Sequence, residues 1–461
     1  MTLRLSRWSA PLIALAVSAC MSVPTPPETV VPPAAAGPFA ALPVASIEAV
    51  PDDWWRLYDD PQLDALVEAS LAANADLRVA YANLDGARAA LKQAQAARLP
   101  TTTIESALTV DDPSNQPSAA SVSASDWDIA ATASWDIDLF GRLRAGALAA
   151  RADAEAQQAA LDGVRVAVVA DTVQAYVEFC AATRAMAEAR AVSAAQERSV
   201  ALVREQFSAG EVSPLEVSQV AALAASTRAG IAPFEAGRSN ALYRIAALQG
   251  RPPAEARTLP LTCKAAPRLK AAAPVGDGTA LLLRRPDVRE AERKLAAAAA
   301  RIGVARAEFY PRVNLGGALG LLAGGFDAAA SPLISWAFPN IAPARAKMAQ
   351  ARASEQAALA GWDVAMLKAL REVETALAAY DAEARRNRDL GEAALQARAY
   401  ARRATARVRY GDAGGLLQVD AERTVAAARL AKVQSDLAVG QAEVALFRAL
   451  GGGWRTGPQA R

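Results

Sequence analysis

The sequence predicts a mainly helical protein with a pair of membrane β-hairpins, built from two internal repeats. Three observations predict it. Two stretches, Gly141 to Gly210 and Ala344 to Tyr410, contain no proline and little that opposes a helix. Each would run roughly 100 Å at the ~1.5 Å rise of a helical residue, several times the usual helix length in globular proteins. Between Thr101 and Phe140 the apolar period changes from helical to two. Residue patterns from the first half then return in the second, as a repeat requires.

The two long stretches carry seams. Val166, Val169, Val173, Tyr176 and Cys180 step by three and four, as do Leu370, Val373, Leu377 and Tyr380, which is how helices pack side by side in coiled-coil fashion. The 5% aromatic and 53% hydrophobic content, dominated by alanine, suits thin close-packed helices. A formal charge of +2 and the absence of histidine offer little to nucleic acid or to a histidine metal site.

In chain order, Arg4 and Arg7 precede an apolar run from Ala10 to Val17 and then Val17-Ser-Ala-Cys20. This is a secretory layout with small residues at the cleavage point, and the run is too short to span a bilayer. Residues 1–19 are therefore expected to be a signal peptide, and 20–50, rich in Pro and Ala, an extended tether. The aromatic cluster Trp54-Trp-Arg-Leu-Tyr58 leads into a helix expected from Pro61 to Arg98, with proline in its first turn. Leu99-Pro100 ends it.

Thr102, Ile104, Ser106, Leu108 and Val110 alternate with more polar neighbours, and Trp127, Ile129, Ala131, Ala133, Trp135 and Ile137 do the same. Two strands of membrane-crossing length follow, joined by 111–125. Three aspartates on one face of the second strand and two tryptophans on the other suit water on one side and lipid on the opposite side. Gly210-Glu-Val-Ser-Pro214 then reads as a helix stop and start, with Ser213 as N-cap and Pro214 at the first helical position. A return helix is expected from Pro214 to Gln249, with a kink at Pro233. Placing Cys263 beyond that helix puts it far from Cys180, so the two thiols are expected to stay unbridged, since a disulfide needs Cα atoms within ~7 Å.

The repeat is read from Asp76-Leu-Arg78 returning as Asp287-Val-Arg289, and Leu99-Pro100 as Tyr310-Pro311. Strands are expected over Arg312 to Leu321 and Pro332 to Phe338, then the second long helix, a turn at Tyr410-Gly-Asp-Ala-Gly-Gly415, and a last helix to Leu450. The first repeat is assigned to 51–253, a connector to 254–279, the second repeat to 280–454 and a tail to 455–461. Four strands cannot close a barrel, and an open edge is not tolerated in lipid, so the chain is expected to assemble with copies of itself.

Together, Trp54-Trp-Arg-Leu-Tyr-Asp-Asp-Pro-Gln-Leu63, Trp135-Asp-Ile-Asp-Leu-Phe-Gly-Arg142, Arg284-Arg-Pro-Asp-Val-Arg289 and Ala449-Leu-Gly-Gly-Gly-Trp454 resemble the TolC-like outer-membrane efflux factors, in the lipoprotein branch of OprM and NodT type. That resemblance implies a homotrimer with a twelve-stranded barrel in outer-membrane lipid and a periplasmic α-barrel. It also implies a periplasmic adaptor and an inner-membrane pump as partners, small molecules such as drugs or metal ions as cargo, and lipidation of Cys20. A duct for polypeptide secretion, or a periplasmic coiled-coil adaptor, are the alternatives. For the hairpin tips the resemblance implies adaptor contacts and a pore constriction, with Gly210, Pro214, Leu215, Arg409, Tyr410, Gly411, Asp412, Leu417 and Asp420 as the candidates. No catalytic constellation, phosphate-binding glycine loop or cysteine-rich metal spacing is present in the sequence. No enzyme activity, cofactor or metal is expected.

Overall fold

The computed structural model describes residues 25–29, 31–32, 39, 50–109, 126–263, 267–269, 273–276, 278–322 and 325–453. Cys20, and with it the expected signal peptide, lies outside them. The helices are α1 (Pro61–Ala73), α2 (Ala75–Ala96), α3 (Arg142–Ser208), α4 (Pro214–Ala229), α5 (Ala232–Leu248), α6 (Gly278–Arg284), α7 (Pro286–Ala307), α8 (Ala342–Arg409) and α9 (Gly415–Ala449). The strands are β1 (Thr101–Thr109), β2 (Asp126–Ile137), β3 (Arg312–Leu322) and β4 (Gly325–Ser335). Two compact units result. One includes Ala82–Ala159 and Val288–Ala365 and holds all four strands; the other includes Val31–Tyr81, Ala160–Asp287 and Met366–Arg461.

In the helical unit, the core gathers around Trp54, which is 0% exposed. Its indole stacks on Phe447 at 4.6 Å between ring centroids and meets Trp55 and Tyr58 edge-on. The glycines of the Leu-Gly-Gly-Gly motif are explained here. Gly451 has φ +67°, and a Cβ on Gly452 would lie 2.7 Å from Cδ1 of Trp54. The Arg-Arg-Pro-Asp motif anchors the same region. Arg285 donates from Nε and Nη2 to the two carboxylate oxygens of Asp287 at 2.9 and 2.7 Å, from Nη2 to Glu372 at 2.7 Å, and from Nη1 to the Ala449 carbonyl at 2.7 Å. A buried guanidinium is tolerable only with its donors matched in this way. Arg284 in turn bonds Asp52 at 2.6 Å.

Two of the expected helices are interrupted. The helix expected to be continuous from Pro61 to Arg98 breaks at Asn74. Its Oδ1 accepts from the Leu77 N–H at 3.1 Å, capping α2, while Nδ2 donates to the Leu248 carbonyl at 3.0 Å. The return helix is likewise two helices. Pro233 lacks the N–H that would bond back one turn and its ring crowds the preceding turn, so α4 ends at Ala229 and α5 restarts at Ala232. An 18-residue window of α3 is apolar enough to cross a membrane, but 67% of it is buried inside the protein. It reads as a core helix.

A further correction concerns the cysteines: Cys180 and Cys263 form a disulfide, with Cα atoms 5.3 Å apart. A wide separation of the two thiols requires the chain to continue onward past α5. Instead, the Schellman turn at Gly250, where the Arg251 N–H reaches the Ala246 carbonyl at 2.9 Å, sends the chain back along α5 through a 3₁₀ turn at Pro253–Thr258. Gln62 then fixes the level at which the connector passes α3. Its side chain donates to the Thr262 carbonyl at 2.9 Å and accepts from the Thr262 N–H at 3.1 Å, and it donates to the Tyr176 hydroxyl at 2.9 Å. Tyr176 lies one helical turn before Cys180 on α3, so Cys263 arrives beside it.

Glu443 is buried in the same unit, where Oε2 accepts from the Tyr58 hydroxyl at 3.1 Å. Burial pushes its carboxyl up to about 7, against the opposing pulls of the Tyr58 hydrogen bond and Arg268. Tyr380 faces the same pair. A folded-state pKa above the unfolded value means stability that is full below pH 4.5 and is lost as pH rises through about 7. Glu443→Gln should remove this loss, which amounts to on the order of 3 kcal/mol by pH 8. Melting temperatures of wild type and variant recorded from pH 5 to 8 check it; parallel curves would assign the pH dependence to other groups.

Candidate functional site: the strand sheet and the helix tips

The four strands form one antiparallel sheet in the order β1-β2-β3-β4, so β1 and β4 are its edges. The register sorts the side chains onto two unlike faces. Ala131, Ala133, Trp135 and Ile137, with Ile129 next on the same face, align with Leu319, Gly317, Leu315 and Val313 of β3, and these with Ala328, Ala330, Pro332 and Ile334 of β4. Thr102, Ile104 and Ser106 of β1 continue that face. The opposite face carries Thr101, Thr103, Glu105, Thr132, Ser134, Asp136, Arg312, Asn314, Asp327, Ser331 and Ser335, with Leu333 as an apolar exception. Hydrogen bonds knit it, as from Ser134 Oγ to Asn314 Oδ1 at 3.0 Å. Large apolar side chains stay exposed on the first face, among them Ile104, Leu319 and Ile334. Such a face needs lipid or a partner to cover it. The side chain of Trp127 lies outside the described residues.

Where strands join helices, tryptophans make matching bonds in both halves. Trp135 Nε1 donates to the Arg98 carbonyl at 3.1 Å and Trp336 Nε1 to the Phe309 carbonyl at 3.2 Å. Phe140 stacks on Tyr310, and Trp336 on Phe338. An apolar band edged by aromatic residues is the signature of a strand sheet lying in a bilayer. Gly320 allows the close approach of β3 to β2, since a Cβ there would lie 2.5 Å from the Ile129 carbonyl oxygen.

At the helix tips, the expected stops and starts are present. Gly210 and Gly411 have φ +78° and +75°, and each closes a Schellman turn. Gly210 and Glu211 donate to the carbonyls of Phe207 and Gln206, and Gly411 and Asp412 to those of Val408 and Arg407. Pro214 opens α4, and the Ser213 N–H donates to Glu216 Oε2 at 2.6 Å, which holds the Glu216 carboxyl below the usual carboxylate range. Leu215 is 76% and Tyr410 84% exposed; Arg409 is exposed as well, and Leu417 is half-buried.

Neither acidic candidate is free within its own chain. Asp412 accepts from Arg407 Nε at 3.3 Å. Asp420 accepts from Arg423 at 2.9 Å and from the Tyr400 hydroxyl at 3.2 Å. Arg407 and Tyr400 escaped sequence reasoning; the Arg407–Asp412 spacing across a Gly turn was the available signal. Ser199 Oγ donates to Glu422 at 3.0 Å, tying α3 to α9 near the tips.

A mainly helical chain that carries a four-stranded sheet with one exposed apolar and one polar face, and long helices ending in glycine turns, has the parts of an outer-membrane channel protein. The model of the family described as outer membrane efflux protein matches residues 66–251 and 279–452. The chain is 31% identical over 469 residues to the outer membrane protein OprJ of Pseudomonas aeruginosa, across 97% of this chain and 96% of that protein. It is 29% identical to the toluene efflux pump outer membrane protein TtgC of Pseudomonas putida, across 96% of each. Among solved structures it resembles the outer-membrane channel OprN, with a TM-score of 0.84 and 34% identity over 93% of this chain and 99% of that one. The chain belongs to the outer membrane efflux protein family: it is an efflux channel of the outer membrane, not an enzyme.

Proposed function

We propose that three copies of this chain form the outer-membrane duct of a tripartite system that expels small molecules. The observation carrying this reading is the four-stranded sheet, whose faces suit lipid and water and whose two edges are unpaired among the described residues. Closure removes such edges; four strands per chain make a twelve-stranded barrel in a trimer, about the size at which a lumen begins to open. Two separate matches to one family model support two internal repeats, assigned to 51–253 and 280–454 around the connector 254–279. The toluene efflux named for one relative favours small molecules over polypeptides as cargo. In this reading Cys20 is lipidated and anchors the mature chain, and 20–50 is the tether.

The tips around Gly210, Pro214 and Leu215, and around Arg409 to Asp412 with Leu417 and Asp420, meet a periplasmic adaptor that is coupled to an inner-membrane pump. They also form the constriction of the resting pore. Opening then requires a partner that binds the dilated state more tightly, since a ligand shifts an equilibrium only through differential affinity. An Arg or Tyr reaching a carboxylate across a chain boundary can be released without unfolding a helix. Tyr410→Phe combined with Asp412→Ala should therefore raise single-channel conductance in planar bilayers while the assembly keeps its mass. Unchanged conductance in an assembled double variant would remove the gate from these residues and leave Asp420 as the acidic candidate.

A further inference from the structure

Beneath the aromatic edge of the sheet, in the same unit, α7 and α8 flank a cleft of about 560 Å³. Its lining includes Arg306, Arg345 and Arg352, over an apolar floor of Ile302, Phe309 and Met348, and no carboxylate. Among the described residues, none of the three guanidiniums is joined to an acidic side chain. Two helical stripes build the cleft: Ile302 and Arg306 on α7, with Phe309 in the turn that follows it, and Arg345, Met348 and Arg352 on α8, the helical pairs at the three- and four-residue spacing that shares a face.

Glu308 marks the flank opposite the cleft. Its carboxylate accepts from Arg312, which stands on the polar face of the sheet, and from Lys347 Nζ at 3.3 Å. On α8, Arg345 precedes Lys347 by two positions, roughly 200° around a helix, and Arg306, in the last turn of α7, lines the same cleft as Arg345. They therefore occupy the opposite flank, the one continuous with the lipid-facing residues. Trp336 marks the same flank. It stands just past the end of β4, two residues after Ile334, and its indole N–H bonds the carbonyl of Phe309, itself part of the cleft.

We infer that this cleft holds the phosphate headgroup of an anionic phospholipid from the membrane leaflet nearest the helices. The inference rests on the reading that the strands cross the bilayer. Planar guanidiniums pair with phosphate oxygens two at a time, while tryptophans sit at headgroup level. The apolar floor suits the glycerol and the first methylenes, and the apolar face of the sheet the acyl chains beyond. A free phosphate would use the arginines and leave that floor exposed to water. The commitment is thus to a lipid rather than a soluble anion.

The test uses the full-length protein in detergent and native mass spectrometry, with phosphatidylglycerol and phosphatidylethanolamine of identical acyl chains added at equal concentration. Wild type should retain the anionic lipid on the order of tenfold more than the zwitterionic one, given the size of interfacial arginine contributions. The variant Arg306→Gln/Arg345→Gln/Arg352→Gln should lose that preference at unchanged oligomer mass. Inorganic phosphate should not displace the lipid. Equal retention of the two lipids by wild type, a preference that survives in the triple variant, or displacement by inorganic phosphate would each overturn the proposal. Should the triple variant fail to assemble, Arg352→Gln alone is compared with wild type, and a part of the preference should go. Quenching of Trp336 by brominated lipid in nanodiscs, read as the difference from Trp336→Phe, separates the two levels. Without quenching the bilayer reading fails and the lipid site with it; with quenching but no lipid preference, only the site fails.

Discussion

Replacing Cys180 and Cys263 by alanine is expected to lower the unfolding free energy of the helical unit by about 4 kcal/mol. The bridge closes a loop with a sequence separation of 83, and a crosslink over a loop of that length removes much of the freedom of the unfolded chain. It also pins the connector to α3 beside the Tyr176–Gln62–Thr262 hydrogen bonds, so those bonds should loosen when it is absent. The melting temperature of the double variant should fall clearly below that of wild type. Reductant should lower the wild-type value to match and leave the variant unmoved. If thiol titration finds two free cysteines in the untreated protein, or if reductant does nothing, the connector is held by its hydrogen bonds alone.

Trp54→Ala is expected to cost about 3–5 kcal/mol, the usual range for truncating a large buried aromatic side chain. Three contacts go together: the stack on Phe447, the edge contacts to Trp55 and Tyr58, and the packing of Gly452 and Gly453 against the indole. Trp54→Phe should cost much less because it keeps a ring on Phe447. Chemical unfolding of the three proteins ranks them; equal losses for the two variants would mean that the indole's outer ring, rather than the stack, carries the stability.

Much of the helical and strand layout was legible because it rests on local chemistry. Proline-free alanine-rich runs, the Gly210 and Gly411 turns and the Ser213-Pro214 start each specify their own geometry, and α3 and α8 lie within two residues of the expected limits. What escaped depends on groups distant in sequence. Asn74 ends α1 because the Leu248 carbonyl and the Leu77 N–H are there to use both ends of its amide, and no neighbour in sequence announces that. The Cys180–Cys263 bridge depends on the chain reversing at Gly250, where a Cβ would lie 2.6 Å from the Ala73 carbonyl oxygen. β4 begins at Gly325 rather than Pro332 because Ala328, Ala329 and Ala330 carry no alternation to read. Pro332 is accommodated within an edge strand, opposite Leu315, where a missing N–H need not break the ladder.

The tips show the same division. Their positions follow from glycine and proline, but the partners of their carboxylates do not: Arg407 folds back on Asp412, and Tyr400 and Arg423 hold Asp420. The two-faced sheet was legible on β1 and β2, where threonines and aspartates alternate with Ile and Trp. On β3 the run Leu315-Gly-Gly-Ala-Leu-Gly320 hides its faces until pairing with β2 and β4 sets Leu315 and Leu319 on the apolar face.

The most direct measurement of the central claim, that this chain completes its membrane sheet only with copies of itself, is the native mass of protein extracted from outer membranes in mild detergent. Three chains per particle are predicted, each beginning at Cys20 and carrying acyl chains. A stable monomer with its full strand content would contradict the account.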